Sequence, residues 1–248
     1  MYRMKWGTFG IVHIATLWLA AAAMVGLYFL LKNRSQKTQT IVLGILSFSG
    51  IAAVLFNLLS WGRPWVYLPL HLCSLNAMVL PFAVFFRSKV LGNLLNLWNL
   101  GALLAVVLNH AQAGFLLNSW TFVFYFIPHV LEFAIPLLLF KLKLVEKDDR
   151  CIPATIGITL GMFTLVHLAN KLLNAHFIAE GILNSAGEQL QVNYMYTIIP
   201  ENPVLVMLHN ILPLEYWYLY LTIPIILVYL LIVYAPQLIG RIKKKQTV

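Results

Sequence analysis

The sequence predicts an all-α polytopic membrane protein of seven transmembrane helices, with its N-terminus outside and its C-terminus cytoplasmic. Three observations carry that prediction. Hydrophobic residues make up 61% of the chain and charged ones 10%, with a mean hydropathy of +0.83, well outside the range of soluble globular domains. Seven apolar runs reach the roughly 20 residues that a helix needs to cross a hydrocarbon core. Lysine and arginine crowd the links on one side of those runs, as cytoplasmic loops do.

The first run, 8 to 31, follows Arg3 and Lys5 and contains "AAAM" at 21 to 24, which gives it the look of a signal peptide. Its length exceeds the roughly 7 to 15 residues of a signal h-region, so it reads as a retained helix. The second is 40 to 60, with Asn57 near its outer end. The third, 67 to 86, has Pro69 near its start, a residue suited to a first helical turn. In the fourth, 91 to 110, Asn93, Asn96 and Asn99 recur every three residues and so share a face, as helix-joining polar groups do. The fifth, 119 to 140, places Tyr125, His129, Glu132 and Pro136 on one face. Along the sixth, 152 to 174, Thr164, His167, Lys171 and Asn174 align, and the seventh covers 217 to 237.

With the N-terminus outside, the inner links and tail hold thirteen of the 17 Lys and Arg residues; Arg3, Lys5, Arg63 and Lys171 are the outer four. The net charge of +9 is then anchoring to anionic lipid. No basic stripe alternates with aromatics on a soluble face, so nucleic acid is not an expected partner. Residues 1–248 form a single membrane domain without internal repeats. Within it, 175 to 216 is a long outer loop or lid. Its "VNYMYTIIPENPVLVMLHNILPLEYW" is too aromatic and apolar for disorder. Pro200, Pro203 and Pro213 divide it, and 203 to 212 suits a short helix on the outer surface.

All seven histidines fall in the outer half or outside. At 1.5 Å per residue, Cys73, His13 and His167 lie about 8 to 10 Å below the outer face and His129 about 15 Å, with His71 shallower. His13 and His110 read as helix-end residues, and His176 and His209 belong to the outer loop. An outward-opening polar chamber built from spans three, five and six follows. Glu132 is the acidic residue within a span, and an intramembrane ionisable group is a functional candidate by default. Cys73 near a helix N-terminus gains from the macrodipole as a thiolate; the alternative is a buried cysteine acting as a small hydrophobe. On a regular helix His71 points about 200° away from Cys73, which favours His167 or His129 as the base, with Glu132 or an asparagine orienting it. For His129 and Glu132 the alternative is a hydrogen bond locking two helices. Cys151, at the cytoplasmic end of span six, cannot reach Cys73 to form a disulfide.

Two short motifs, "LPLHLCSLN" in the third span and "NYMYTIIP" before the last, resemble the YwaF-like integral membrane protein family, related to animal transmembrane protein 164. The resemblance implies a membrane-embedded acyltransferase that remodels phospholipids through a cysteine, with Cys73 as the nucleophile and His71 as the motif's second polar member. It implies phospholipid and lysophospholipid substrates and the bilayer as surroundings, with no cofactor. The compact form is that of the bacterial branch, hence an expected place in the bacterial cytoplasmic membrane. Asn76, Asn170, Asn193, Tyr125, Tyr194 and Tyr196 are the expected substrate contacts.

Two other readings stand beside this one. A small-solute or proton-coupled transporter would use His129 and Glu132 as a relay, and would need a polar path through Asn93, Asn96 and Asn99 to the inner face. A metal-dependent hydrolase or haem protein would use the histidines, but no two are four apart, as in HxxxH. No metal ligand set is expected.

Overall fold

The structure, a computed structural model, describes residues 5–7, 9–60, 64–108, 114–201 and 203–246. His110, Arg3 and Arg63 lie outside them. Among the described residues the fold is all-helical: α1 (Ile11–Leu31), α2 (Gln36–Ser47), α3 (Ser49–Ser60), α4 (Leu72–Phe86), α5 (Lys89–Leu108), α6 (Trp120–Lys141), α7 (Ile152–Ala179), α8 (Pro203–Ile211) and α9 (Thr222–Gln246). Six stretches are long and apolar enough to cross a membrane: Ile11–Leu31, Gln36–Ser60, Lys89–Leu108, Trp120–Lys141, Asp149–Ala179 and Trp217–Gly240.

The third expected span is where sequence and structure differ. Its helix, α4, has only 15 residues. Pro69 is not in its first turn: a residue before proline is driven out of the α region, and His71 is still extended, at φ −78° and ψ 155°. The helix therefore starts at Leu72, and Cys73 is its second residue rather than one turn in.

The chain divides into two compact units, Met1–Lys147 and Asp148–Val248. In the first, α5 packs between α4 and α6. The two-residue link after Phe86 makes α4 and α5 antiparallel, and the start of α5 meets the chain leaving α6 where Asn93 Nδ2 donates to Glu146 O at 3.0 Å. The second span breaks between α2 and α3, where Ser47 Oγ donates back to Gly44 O at 2.6 Å, a bond that bends helices. On either side of the break a glycine admits α4: a Cβ at Gly44 would strike the Phe85 ring, and one at Gly50 would strike Ala77. The N-terminal end of α1 is pinned by His13, which the sequence placed merely at a helix end. Its Nδ1 accepts from Phe9 N at 3.1 Å, so Nε2 carries the proton and donates to Val106 O at 2.8 Å. The rest of α1 turns large apolar side chains outward, among them Trp18, Leu19 and Leu30.

In the second unit, α7 stops at Gly181, whose φ of +61° suits glycine, with Ile182 N donating to Phe177 O at 2.9 Å. The chain after it is held to α7 by two asparagines that imitate a neighbouring strand. Asn174 exchanges a pair of hydrogen bonds with the backbone of Val192 (3.0 and 2.8 Å), and Asn170 does the same with Tyr194 (2.9 and 3.0 Å). The loop is thus ordered, with Val192, Tyr194, Met195 and Thr197 buried. α8 forms where the three prolines left room for it.

Candidate functional site

The first unit encloses a cavity of about 470 Å³. Its lining includes His71, Cys73 and Ser74 at the start of α4, Tyr125, His129 and Glu132 on α6, and Gly50 and Asn57 on α3. The expected chamber used spans three, five and six; the cavity is lined by the second, third and fifth.

Cys73 is a free, partly exposed thiol. The Ser74 hydroxyl and amide and its own amide all face its sulfur. The first N–H groups of a helix lack intrahelical partners, and the His71 side chain does not cap them. The start of α4 therefore presents N–H donors beside the sulfur, where an oxyanion can be received. The opposed facing of His71 and Cys73 expected for a regular helix does not apply, since His71 precedes the helix and shares the cavity.

His129 is oriented otherwise than expected. Its Nδ1 lies 2.6 Å from Tyr125 O, a carbonyl that can only accept, so Nδ1 carries a proton and Nε2 of the neutral ring is the bare, basic nitrogen. The orienting group is the backbone of Tyr125, not Glu132. The Tyr125 ring packs against the imidazole, with centroids 4.4 Å apart, and its hydroxyl donates to Ala105 O at 2.6 Å.

Glu132 is 3% exposed, and its Oε2 has no hydrogen-bond partner. The Asn76 side chain is its hydrogen-bonding neighbour, and Cys73 and His129 lie within its electrostatic reach. Asn76 is 0% exposed on the next turn of α4 from Cys73. Prolines at 128 and 136 flank Glu132 four residues away on each side. Pro136 cannot donate to the Glu132 carbonyl, which loosens the helix there.

The second unit holds the other expected residues in a set of its own. His167 Nδ1 lies 3.3 Å from Thr197 Oγ1, its Nε2 3.9 Å from Glu215 Oε1, and its ring stacks on Tyr216 at 4.7 Å. Lys171 pairs with Glu215 at 2.9 Å. Asn170 also donates to Thr197 Oγ1 at 2.8 Å. The Asn193 carbonyl accepts from the amides of Ile198 and Ile199, and its amide donates to Ile199 O and Glu201. Tyr194 is buried, and Tyr196 takes a positive φ of 56° while its carbonyl accepts from the Tyr218 hydroxyl. Thr164, Tyr216 and Tyr220 form a hydroxyl chain with steps of 2.5 and 2.8 Å. Burial pushes the Tyr216 phenol above its usual range, against the bond with Thr164.

Among the described residues no group of three His, Cys, Asp or Glu side chains could hold a metal ion. Gly50 and Ser74 are among the cavity residues that sequence reasoning did not assign to a site. For Gly50 the signal was a small residue in an apolar span, beside which another helix can come close.

The model of the TMEM164 family matches residues 8–234, which include both the cavity and the asparagine-held loop. No curated protein and no solved structure matches the chain.

Proposed function

The chain belongs to the TMEM164 family, and from that premise we propose that it is a membrane-embedded phospholipid transacylase with Cys73 as its nucleophile. The observation that carries this reading is the shared cavity, where a thiol at a helix N-terminus, two histidines and a buried carboxyl converge within an apolar bundle.

In the first half-reaction Cys73 Sγ attacks the carbonyl carbon of a phospholipid ester. The thiol proton passes to histidine, with His129 Nε2 and His71 as candidate bases, and the amides at the start of α4 receive the oxyanion. The C–O bond breaks, and the lysophospholipid leaves with the proton. In the second half an acceptor hydroxyl attacks the thioester, and the C–S bond breaks to return the thiol. A cavity of about 470 Å³ suits one acyl chain or one polar head rather than a whole two-chain lipid.

The same proposal includes seven crossings, N-terminus outside, with α4 as the third. Gly44 meets Phe85 and Gly50 meets Ala77, so α4 runs back along α2 and α3, and the link to α5 then reverses the chain again. Alternation of this kind, with the basic links on one side, supports an integral protein of a bacterial cytoplasmic membrane.

The transporter alternative needs the polar path to open at the inner face. There the buried Asn93 amide instead bridges Lys89 O and Glu146 O at 2.8 and 3.0 Å, which weighs against it.

The test is mass spectrometry of the detergent-purified protein for a hydroxylamine-labile fatty acyl adduct on Cys73. We expect the adduct in the wild type and not in Cys73→Ala, and loss of the label on adding lysophospholipid. A wild type with no adduct after incubation with phospholipid would reject the enzyme reading and move attention to proton-flux assays on Glu132→Gln.

A further inference from the structure

The cavity leaves a long ligand few ways out. At one end Gly50, Ala77 and Glu132 close together: a Cβ on Gly50 would stand 2.4 Å from Ala77 Cβ and 3.2 Å from Glu132 Oε1. Ala77 is four residues past Cys73 on α4, so this floor lies about 6 Å beyond the thiol. A fatty chain, which fills half of a hydrocarbon core about 30 Å thick, cannot extend that way. The other end, at Asn57 and Thr121, coincides with the ends of the stretches Gln36–Ser60 and Trp120–Lys141. A chain leaving there would pass into the headgroup layer and water.

Between the two ends, one side of the cavity is set by a pair of rings. Phe124 of α6 lines the cavity and stacks on Phe56 of α3, with centroids 4.4 Å apart and planes 14° from parallel. At about 100° of turn per residue, each ring sits on the flank of its helix. Phe56 falls between Ala53 and Asn57, which line the cavity, and Leu55 and Leu59, which are exposed. Phe124 falls between Thr121 and Pro128, which line the cavity, and Trp120 and Ile127, which are exposed. Those four exposed apolar residues belong to the two stretches long and apolar enough to cross a membrane. The cavity lies on one side of the stacked pair, and hydrocarbon on the other.

The lining selects which part of a lipid enters. Among the described residues it contains no Lys or Arg, and Glu132 brings a carboxyl. A phosphate there would meet no cation and would have to shed its water uncompensated. We infer that the seam between α3 and α6 is an acyl-chain subsite, through which the fatty chain of a membrane lipid reaches Cys73 from the bilayer past Phe56 and Phe124 while its phosphate stays outside.

This inference rests on the acyl-transfer reading for what the chain carries, and adds the route by which it arrives. A stacked aromatic pair adds only a modest attraction to the area it buries, so the two rings part for an unbranched chain and close again without unpacking either helix. Once the thioester has formed, the chain stays in the seam, in contact with hydrocarbon, and the acyl carbonyl stays in the cavity beside Cys73. The space under the thiol then serves the small polar groups of the reaction and not the chain.

The experiment follows access to Cys73 and needs no turnover. The full chain in phospholipid nanodiscs is treated with either of two maleimides, one carrying a long alkyl chain that partitions into the bilayer and one small and charged that stays in water. Labelling of the Cys73 peptide is timed by mass spectrometry for wild type, Phe56→Ala, Phe56→Leu and the control Leu59→Ala. We expect the two Phe56 variants to speed labelling by the alkyl reagent about 3- to 10-fold, the weight of one stacked pair, and to leave labelling by the charged reagent within about twofold of wild type. Leu59→Ala, on the exposed face of the same helix, should change neither. An alkyl rate that stays within about twofold of wild type in both Phe56 variants overturns the subsite, as does an equal gain for both reagents or the same gain in Leu59→Ala. Phe56→Leu keeps an apolar side chain in the seam, so it decides alone if Phe56→Ala does not fold. Cys73 labelled in the expected pattern but never acylated by phospholipid overturns the enzyme reading and leaves the route standing.

Discussion

Asn76 in the first unit and Asn170 in the second are both wholly buried on apolar helices, yet their surroundings are opposite. Asn170 satisfies the backbone of Tyr194 in both directions and donates to Thr197 as well. Asn76 bonds no backbone and reaches a side chain instead, the buried Glu132 carboxyl. One asparagine replaces a missing strand and so builds structure; the other stands against a buried acid. In an apolar bundle, then, the chemistry of a polar side chain does not by itself mark a site. What marks it is what that chemistry engages.

The largest effect should come where the open region reacts. Cys73→Ala should lower the labelled acyl adduct by at least about 10³-fold, as loss of a nucleophile does, read by mass spectrometry of the intact protein. The sharpest contrast is then between the two asparagines, by thermal unfolding in detergent. Asn170→Leu leaves the Tyr194 amide and carbonyl buried and unmet and should cost about 3 kcal/mol. Asn76→Leu removes a side chain that bonds no backbone, at nearly constant volume, and should cost about 1 kcal/mol. Equal destabilisation by the two variants would dissolve the distinction.

Gly50 tests the open region from its wall. A methyl there would push on Ala77 and crowd Glu132 Oε1, so Gly50→Ala should cost about 1 to 3 kcal/mol and narrow the cavity. Gly26, with nothing near its missing side chain, is the matched control in α1, and Gly26→Ala should stabilise slightly, since alanine favours the helix. If both glycines tolerated alanine equally, the close approach of α3 to α4 would not be what shapes the site.

Much of this was legible in the sequence, for reasons that differ between residues. Six long apolar runs announced themselves because hydrocarbon demands length and little else. The packed segment after α7 and the short α8 were legible because aromatic, apolar composition and well-spaced prolines constrain a chain locally. The start of α4 was misplaced because Pro69 can either open a helix or hold the residues before it extended, and which occurs depends on neighbouring packing. Glu132 was visible as an intramembrane acid, but its relation to His129 was not: the spacing allowed a carboxyl–imidazole bond, and the ring took the Tyr125 carbonyl instead. Nor could spacing tell that Asn170 binds backbone and Asn76 does not, since that depends on which backbone each helix packs against.

The smallest effect tests the comparison inside a single helix. Along α5, Asn93 and Asn99 lie on one face, but Asn93 joins Lys89 O to Glu146 O while the Asn99 amide is unmet. Beside Asn93, Lys89 Nζ and Glu146 Oε2 form an ion pair of 2.9 Å whose side chains are 42% and 76% exposed. Such exposed pairs gain little, since water screens them and two flexible side chains must be held still. Lys89→Ala should therefore shift stability by under about 0.5 kcal/mol, and added salt should change it little. Asn93→Leu should cost about 1 to 2 kcal/mol, because its buried amide ties the chain beyond α6 to α5 through Glu146 O, whereas Lys89 O keeps its helical N–H partner. If the lysine mattered more than the asparagine, the inner end of the bundle would be held by surface charge, and buried hydrogen-bond closure would not be what separates Asn93 from Asn99.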